Sequence, residues 1–127
     1  MRVPSATYRL QLHAHFGLAQ VKRLIPYFRA LGISHLYLSP IFQARAGSTH
    51  GYDVTDPTRV NAEIGTLDEL LALSAELRRL GMGILLDIVP NHMAADVQNP
   101  WWRDVLEHGT ASPFAGPCSI SPTSLPV

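Results

Sequence analysis

The stretch Leu80-Gly81-Met82-Gly83-Ile84-Leu85-Leu86-Asp87-Ile88-Val89-Pro90-Asn91-His92 carries the punctuation that decides the fold. Gly81 follows an amphipathic run, where a glycine in the left-handed conformation closes a helix. The apolar residues from Ile84 to Val89 then form a short run that ends at Pro90, as expected of a buried strand in a parallel sheet. The same grammar occurs earlier in the chain. Leu31-Gly32-Ile33 leads into His35-Leu36-Tyr37-Leu38-Ser39-Pro40, again a Gly-capped helix followed by an apolar strand that stops at proline.

Working outward, Leu67, Leu70, Leu71, Leu77 and Leu80 repeat at helical spacing and predict one apolar face. Thr66 followed by Glu69 is a capping box at the start of that helix. Arg78 and Arg79 sit at its end, where cations suit the dipole. An earlier helix is expected from Leu18 to Leu31, with Val21, Leu24, Ile25, Phe28 and Leu31 as its stripe. Pro26 lies inside it, so a bend or break is expected near Tyr27. Thr7-Tyr8-Arg9-Leu10-Gln11-Leu12 reads as a first strand. A last helix starts with Asn99 as cap and Pro100 at the first helical position, and stops at Gly109.

The order is therefore strand, helix, strand, long loop, helix, strand, loop, helix. Strands alternating with helices imply an α/β class with right-handed crossovers and a parallel sheet. The connection from Ser39 to Gly65 is long for a structureless loop, and loops of that length are usually functional.

Composition narrows the classes of function. Of 127 residues, 46% are hydrophobic and 16% charged, which places the chain among globular proteins. Ten basic residues balance ten acidic ones, so there is no basic excess to bind nucleic acid and no polybasic anchor for a membrane. No run approaches the ~20 apolar residues of a membrane span. The N-terminus lacks the apolar core of a signal peptide, so a cytoplasmic location is expected. Cys118 is the single cysteine, which leaves no intrachain disulfide framework.

Functional residues of parallel α/β folds gather at the C-terminal ends of strands. Asp87 is the sharpest of these, because a carboxylate inside an apolar strand is costly unless paired or hydrogen-bonded. From position alone, a structural carboxylate capping backbone donors is as good a reading as a site residue. Asn91 and His92 follow it, and the pattern Asp-x-x-x-Asn-His at a strand end is more specific than any member alone. His50-Gly51-Tyr52-Asp53 offers a flexible backbone point, a flat ring and two polar groups; the ring suits the face of a sugar and the polar groups its hydroxyls. A loop packed through Tyr52 is the simpler alternative. Asp56 and Glu63 read as turn residues, and Asp68, Glu69, Glu76, Asp104 and Glu107 sit on predicted helices. His13-Ala14-His15 resembles the metal-binding pair of amidohydrolases, but two imidazoles do not close a catalytic zinc site. No metal is expected, and there is no phosphate loop or nucleophile elbow.

At these motifs the chain resembles the α-amylase superfamily, glycoside hydrolase family 13. Asp87-Ile88-Val89-Pro90-Asn91-His92 is similar to that family's first characteristic region on the third barrel strand, and His50-Gly51-Tyr52-Asp53 to its loop after the second. Thr7–Leu12, Ser34–Pro40, Gly47–Asp53 and Asn99-Pro100-Trp101-Trp102 resemble the maltooligosyl trehalose synthases within the family. The resemblance covers about residues 4 to 116.

The resemblance implies the N-terminal part, about three βα units, of a (β/α)₈ TIM barrel. It implies an intramolecular transglucosylase of trehalose biosynthesis that acts on maltooligosaccharides without a cofactor. By the same resemblance Tyr52 stacks on the reacting sugar, while His50 and His92 bond its hydroxyls; Asp53 is expected beside them as a further substrate-binding residue. Asp87 holds the polar network, and Asn91 makes a structural hydrogen bond rather than binding calcium. The nucleophile and acid/base are expected on further strands, with no catalytic residue in this chain. An α-amylase-type hydrolase, or a glucan-binding module using Tyr52, Trp101 and Trp102, are the alternatives.

The expected division is a barrel portion over residues 1–116 and a disordered tail over 117–127. The Pro/Ser-rich sequence after Gly116 departs from the family pattern and suggests a frameshift or truncation. Such a chain is expected to fold poorly alone and to be inactive.

Overall fold

The computed structural model describes residues 3–116. The expected tail at 117–127, with Cys118, lies outside the described residues. The chain opens with strand β1 (Thr7–Leu10), followed by helices α1 (Leu18–Arg23) and α2 (Ile25–Ala30) and strand β2 (His35–Leu38). Strands β3 (Phe42–Ala44) and β4 (Val54–Val60), helix α3 (Leu67–Arg79) and strand β5 (Gly83–Leu86) come next. Helix α4 (Pro100–His108) and a 3₁₀ turn (Gly109–Ala111) close the described part.

Strands β1, β2 and β5 form one parallel sheet in that order, as the alternating pattern predicts. Both crossovers end in the expected glycine cap. Gly32 and Gly81 have φ of 76° and 73°, the left-handed region that glycine enters without steric cost. In each case the next residue's amide reaches back to close the helix, Ile33 to the Phe28 carbonyl at 3.1 Å and Met82 to that of Leu77 at 2.8 Å. The Thr66 capping box also forms: Thr66 Oγ1 accepts from the Glu69 amide at 3.2 Å, and Glu69 Oε2 accepts from the Thr66 amide at 2.8 Å. Asn99 caps α4, its Oδ1 accepting from the amides of Trp101 and Trp102.

Period-2 alternation divides the sheet into two faces. Leu10, Leu36 and Leu38 point to the helical side, where Leu18, Val21, Ile25, Phe28, Leu73 and Leu77 cover them in one core. Arg9, Tyr37 and Leu85 share a row on the other face, paired in register across the three strands.

Four expectations need correction. The helix expected over Leu18–Leu31 is two short helices, and the break falls at Leu24 rather than near Tyr27. Proline lacks the amide that would bond the carbonyl four residues back, and its ring crowds that carbonyl, so the turn before Pro26 gives way. The amide of Leu24 bonds only three residues back, to Val21, and Pro26 falls in the first turn of α2, where its missing donor costs nothing. The restart rephases the helix and turns Leu24 and Leu31 out to solvent.

The apolar stripe of α3 is also displaced. Leu73 and Leu77 are fully buried with Leu70 and Leu80 beside them, while Leu67 and Leu71 are each 58% exposed. The connection from Ser39 to Gly65 is not structureless, since β3 and β4 pair within it as an antiparallel ribbon. The strands at the sheet are shorter than the apolar runs: β1 stops at Leu10, and β5 stops at Leu86, one residue before Asp87.

Candidate active-site wall

Four segments deliver side chains to the C-terminal end of the sheet. Asp87 is the first residue past β5, and its amide still bonds the Leu38 carbonyl at 2.9 Å, so the ladder fixes its backbone. Tyr52 arrives from the loop between β3 and β4. Its hydroxyl donates to Asp87 Oδ2 at 2.5 Å. Arg9, from β1, completes the group: Nη1 lies 2.9 Å from Asp87 Oδ2, and Nη2 donates to the Tyr52 hydroxyl at 2.8 Å. The guanidinium carbon sits 4.6 Å from the centroid of the Tyr37 ring on β2, a cation–π distance.

The charge of Asp87 is compensated by side chains from two distant segments rather than by local backbone donors. The Tyr52 hydrogen bond, reinforced by Arg9 against the opposing effect of burial, holds the Asp87 carboxyl below its ordinary range. The same bond to Asp87 raises the Tyr52 phenol above its ordinary value, because ionising the phenol removes the hydrogen that the bond needs.

The loop that carries Tyr52 is fastened at several points. Gln11 Nε2 donates to the carbonyls of Thr49 and His50 at 3.1 and 3.2 Å. Ser48 Oγ donates to Asp53 Oδ1 at 2.5 Å and accepts from the Gly51 amide at 3.1 Å. Gly51 has φ of 77°, and a Cβ there would meet the Pro40 carbonyl oxygen at 2.8 Å. Glycine is needed at this turn for both reasons. His50 Nδ1 accepts from the Tyr52 amide at 3.0 Å and lies 3.8 Å from Asp53 Oδ1, with the His50 and Tyr52 rings stacked 6.0 Å apart.

His50, Tyr52, Asp53 and Asp87 are therefore brought into one connected cluster. His92 and Asn91 stand apart from it and bond each other, His92 Nδ1 to Asn91 Oδ1 at 3.0 Å. They line a neighbouring apolar cleft of about 760 Å³ together with Phe42, Pro90, Trp101 and Trp102. Trp101 stacks on Phe114 at 5.4 Å, so one of its faces is occupied by packing.

His13 and His15 sit edge-on at 6.1 Å in the turn after β1, where His13 Nδ1 accepts from the His15 amide. Among the described residues, no three His, Cys, Asp or Glu side chains are placed to hold a metal ion. Nor, among them, is any helix long and apolar enough to cross a membrane.

Arg9 and Tyr37 were not among the candidates drawn from the sequence. The available signal was a cation in the middle of a predicted strand, one position out of phase with the buried Leu10. It marks the face opposite the helices, where a charge needs a partner.

Comparison with known proteins gives this geometry its context. The model of the alpha-amylase catalytic domain matches residues 17–114. The chain belongs to the alpha-amylase family. It is 50% identical over 117 residues to a putative maltooligosyl trehalose synthase of Mycobacterium tuberculosis, a match that covers 87% of this chain and 15% of that protein.

Among solved structures it superposes on a maltooligosyltrehalose synthase from Arthrobacter ramosus with a TM-score of 0.86 at 46% identity, over 88% of this chain and 15% of that one. A hypothetical maltooligosyl trehalose synthase from Sulfolobus tokodaii gives 0.84 at 44% identity, over 90% and 16%. The chain thus spans about a seventh of the length of these relatives. Its sheet and covering helices are about three βα units of the family's (β/α)₈ barrel.

Proposed function

We propose that this chain forms one wall of the sugar site of a maltooligosyl trehalose synthase. The reaction breaks the reducing-end α-1,4 bond of a maltooligosaccharide and rejoins the released glucose through its anomeric oxygen as an α,α-1,1 bond. The observation that carries the reading is the Tyr52 ring held at the strand ends by Asp87 and Arg9. With its hydroxyl engaged, Tyr52 presents a ring to the sugar while His50 and Asp53 beside it offer polar groups to the hydroxyls.

His92 from the loop after β5 is read as a further sugar contact, in the cleft beside the Tyr52 cluster, with Asn91 as its structural partner. Residues 1–116 make up this barrel portion, and the location is cytoplasmic. Two retaining displacements need a nucleophile and an acid/base about 5–5.5 Å apart. Those carboxylates belong to barrel strands other than β1, β2 and β5.

Product analysis on maltopentaose tests the reading. The complete enzyme carrying this segment is expected to lower the count of reducing ends at constant total glucose. A rise in reducing ends identifies a hydrolase instead, and binding without turnover identifies a glucan-binding module. The 127-residue chain alone is expected to give no turnover, and measurable conversion by it would refute the placement of the carboxylates elsewhere.

A further inference from the structure

We propose that Arg9 is a positioning residue that sets the orientation of the Tyr52 ring, an inference that rests on Tyr52 stacking against the reacting sugar. Tyr52 stands on a loop whose tether through Gln11 holds the carbonyls of Thr49 and His50 and does not touch the Tyr52 side chain. The His50 ring stacks beside the Tyr52 ring at 6.0 Å, and the hydrogen bonds that hold the ring are at its tip. A phenol has one hydrogen to give, and here it goes to Asp87 Oδ2. The oxygen in turn accepts from Arg9 Nη2 at 2.8 Å. The hydroxyl therefore has no hydrogen left for a sugar, and its two bonds act as a brace.

Arg9 suits this task for a geometric reason. Its planar fork reaches Tyr52 with one nitrogen and Asp87 with the other, while its face lies over the Tyr37 ring at 4.6 Å. Three groups from three segments thus fix the plane of the guanidinium, and the guanidinium fixes the phenol. The base of the brace is rigid, because Arg9 and Tyr37 pair in register on β1 and β2. A lysine supplies the charge but not the fork or the flat face.

The test is a kinetic cycle in the complete enzyme with maltopentaose as substrate. Arg9→Met is expected to raise KM about tenfold and leave kcat within about twofold, since a platform used equally in ground and transition states is read in KM. Loss of folded enzyme would instead lower apparent kcat at constant KM. Arg9→Lys should recover part of the KM change. In a Tyr52→Phe background, which already lacks the brace, Arg9→Met should add little, so the two changes are strongly non-additive.

An unchanged KM in Arg9→Met, or the same factor in both backgrounds, overturns the positioning role. Tyr52→Ala separates the two levels of the argument. If it alters neither constant, the sugar-stacking reading fails; if it raises KM while Arg9→Met does not, only the role of Arg9 fails. Should Arg9→Met not fold, Arg9→Gln and Arg9→Lys complete the same cycle with Tyr52→Phe.

Discussion

Asparagine at position 87 keeps the shape of the aspartate and removes its charge, which isolates the electrostatic part of the cluster. In the native chain Asp87 Oδ2 accepts from the Tyr52 hydroxyl at 2.5 Å and faces Arg9 Nη1 at 2.9 Å. A hydrogen bond to a charged group contributes about 1.5–3 kcal/mol when sheltered from water. The Arg9 side chain is 37% exposed and that of Asp87 17%, so screening draws the value toward about 1 kcal/mol. In the complete enzyme carrying this segment, Asp87→Asn is therefore expected to cost about 1 kcal/mol of stability at pH 7.

The sign of the pH dependence follows from the direction of the shift. The folded carboxyl is held below its ordinary value of 3.8. Its stabilisation is fully present above that value and is lost as pH falls through the folded one. Below that point the native side chain is protonated and resembles asparagine, so the two proteins should converge. Thermal unfolding of dilute protein, followed by near-ultraviolet circular dichroism from pH 7 down to about pH 2.5, reads the difference. A gap that stays constant on acidification, or no gap at pH 7, would refute the charge-pair account.

Three further outcomes are expected. Gly51→Ala forces a Cβ against the Pro40 carbonyl in a left-handed backbone and should cost about 1–3 kcal/mol in chemical denaturation; an unchanged midpoint would show that the turn is not constrained. Leu77→Ala empties a site with no solvent exposure and should cost about 2–5 kcal/mol with an unaltered denaturant slope; a loss below about 1 kcal/mol would refute its place in the core. Leu85 and Ile88, 36% and 57% exposed beside the open edge of β5, should drive self-association of the isolated chain. Sedimentation velocity should then show more monomer for Leu85→Lys with Ile88→Lys, and an unchanged distribution would place the contact elsewhere.

Local signals were legible in the linear chain wherever a few adjacent residues settle the matter. The Gly32 and Gly81 caps, the Thr66–Glu69 box and the Asn99–Pro100 start all formed as read, because each depends on a single turn of backbone. The parallel order of β1, β2 and β5 followed from the alternation of strands and helices. Tyr52 and Asp87 were visible as a ring and a charge in places where neither is neutral.

Tertiary structure decided what depends on phase and on distance. The break at Leu24 rephased a helix and exposed Leu24 and Leu31, and which leucines of α3 lie inward was set by the sheet beneath it. The β3–β4 ribbon arises from pairing between Phe42–Ala44 and Val54–Val60, a non-local match that helical or strand periodicity does not register. The joining of Arg9 to Tyr52 and Asp87 across 43 and 78 positions is of the same kind. A sequence can show that a cation in a strand needs a partner, but which partner it meets depends on the register of three strands and the closure of one loop.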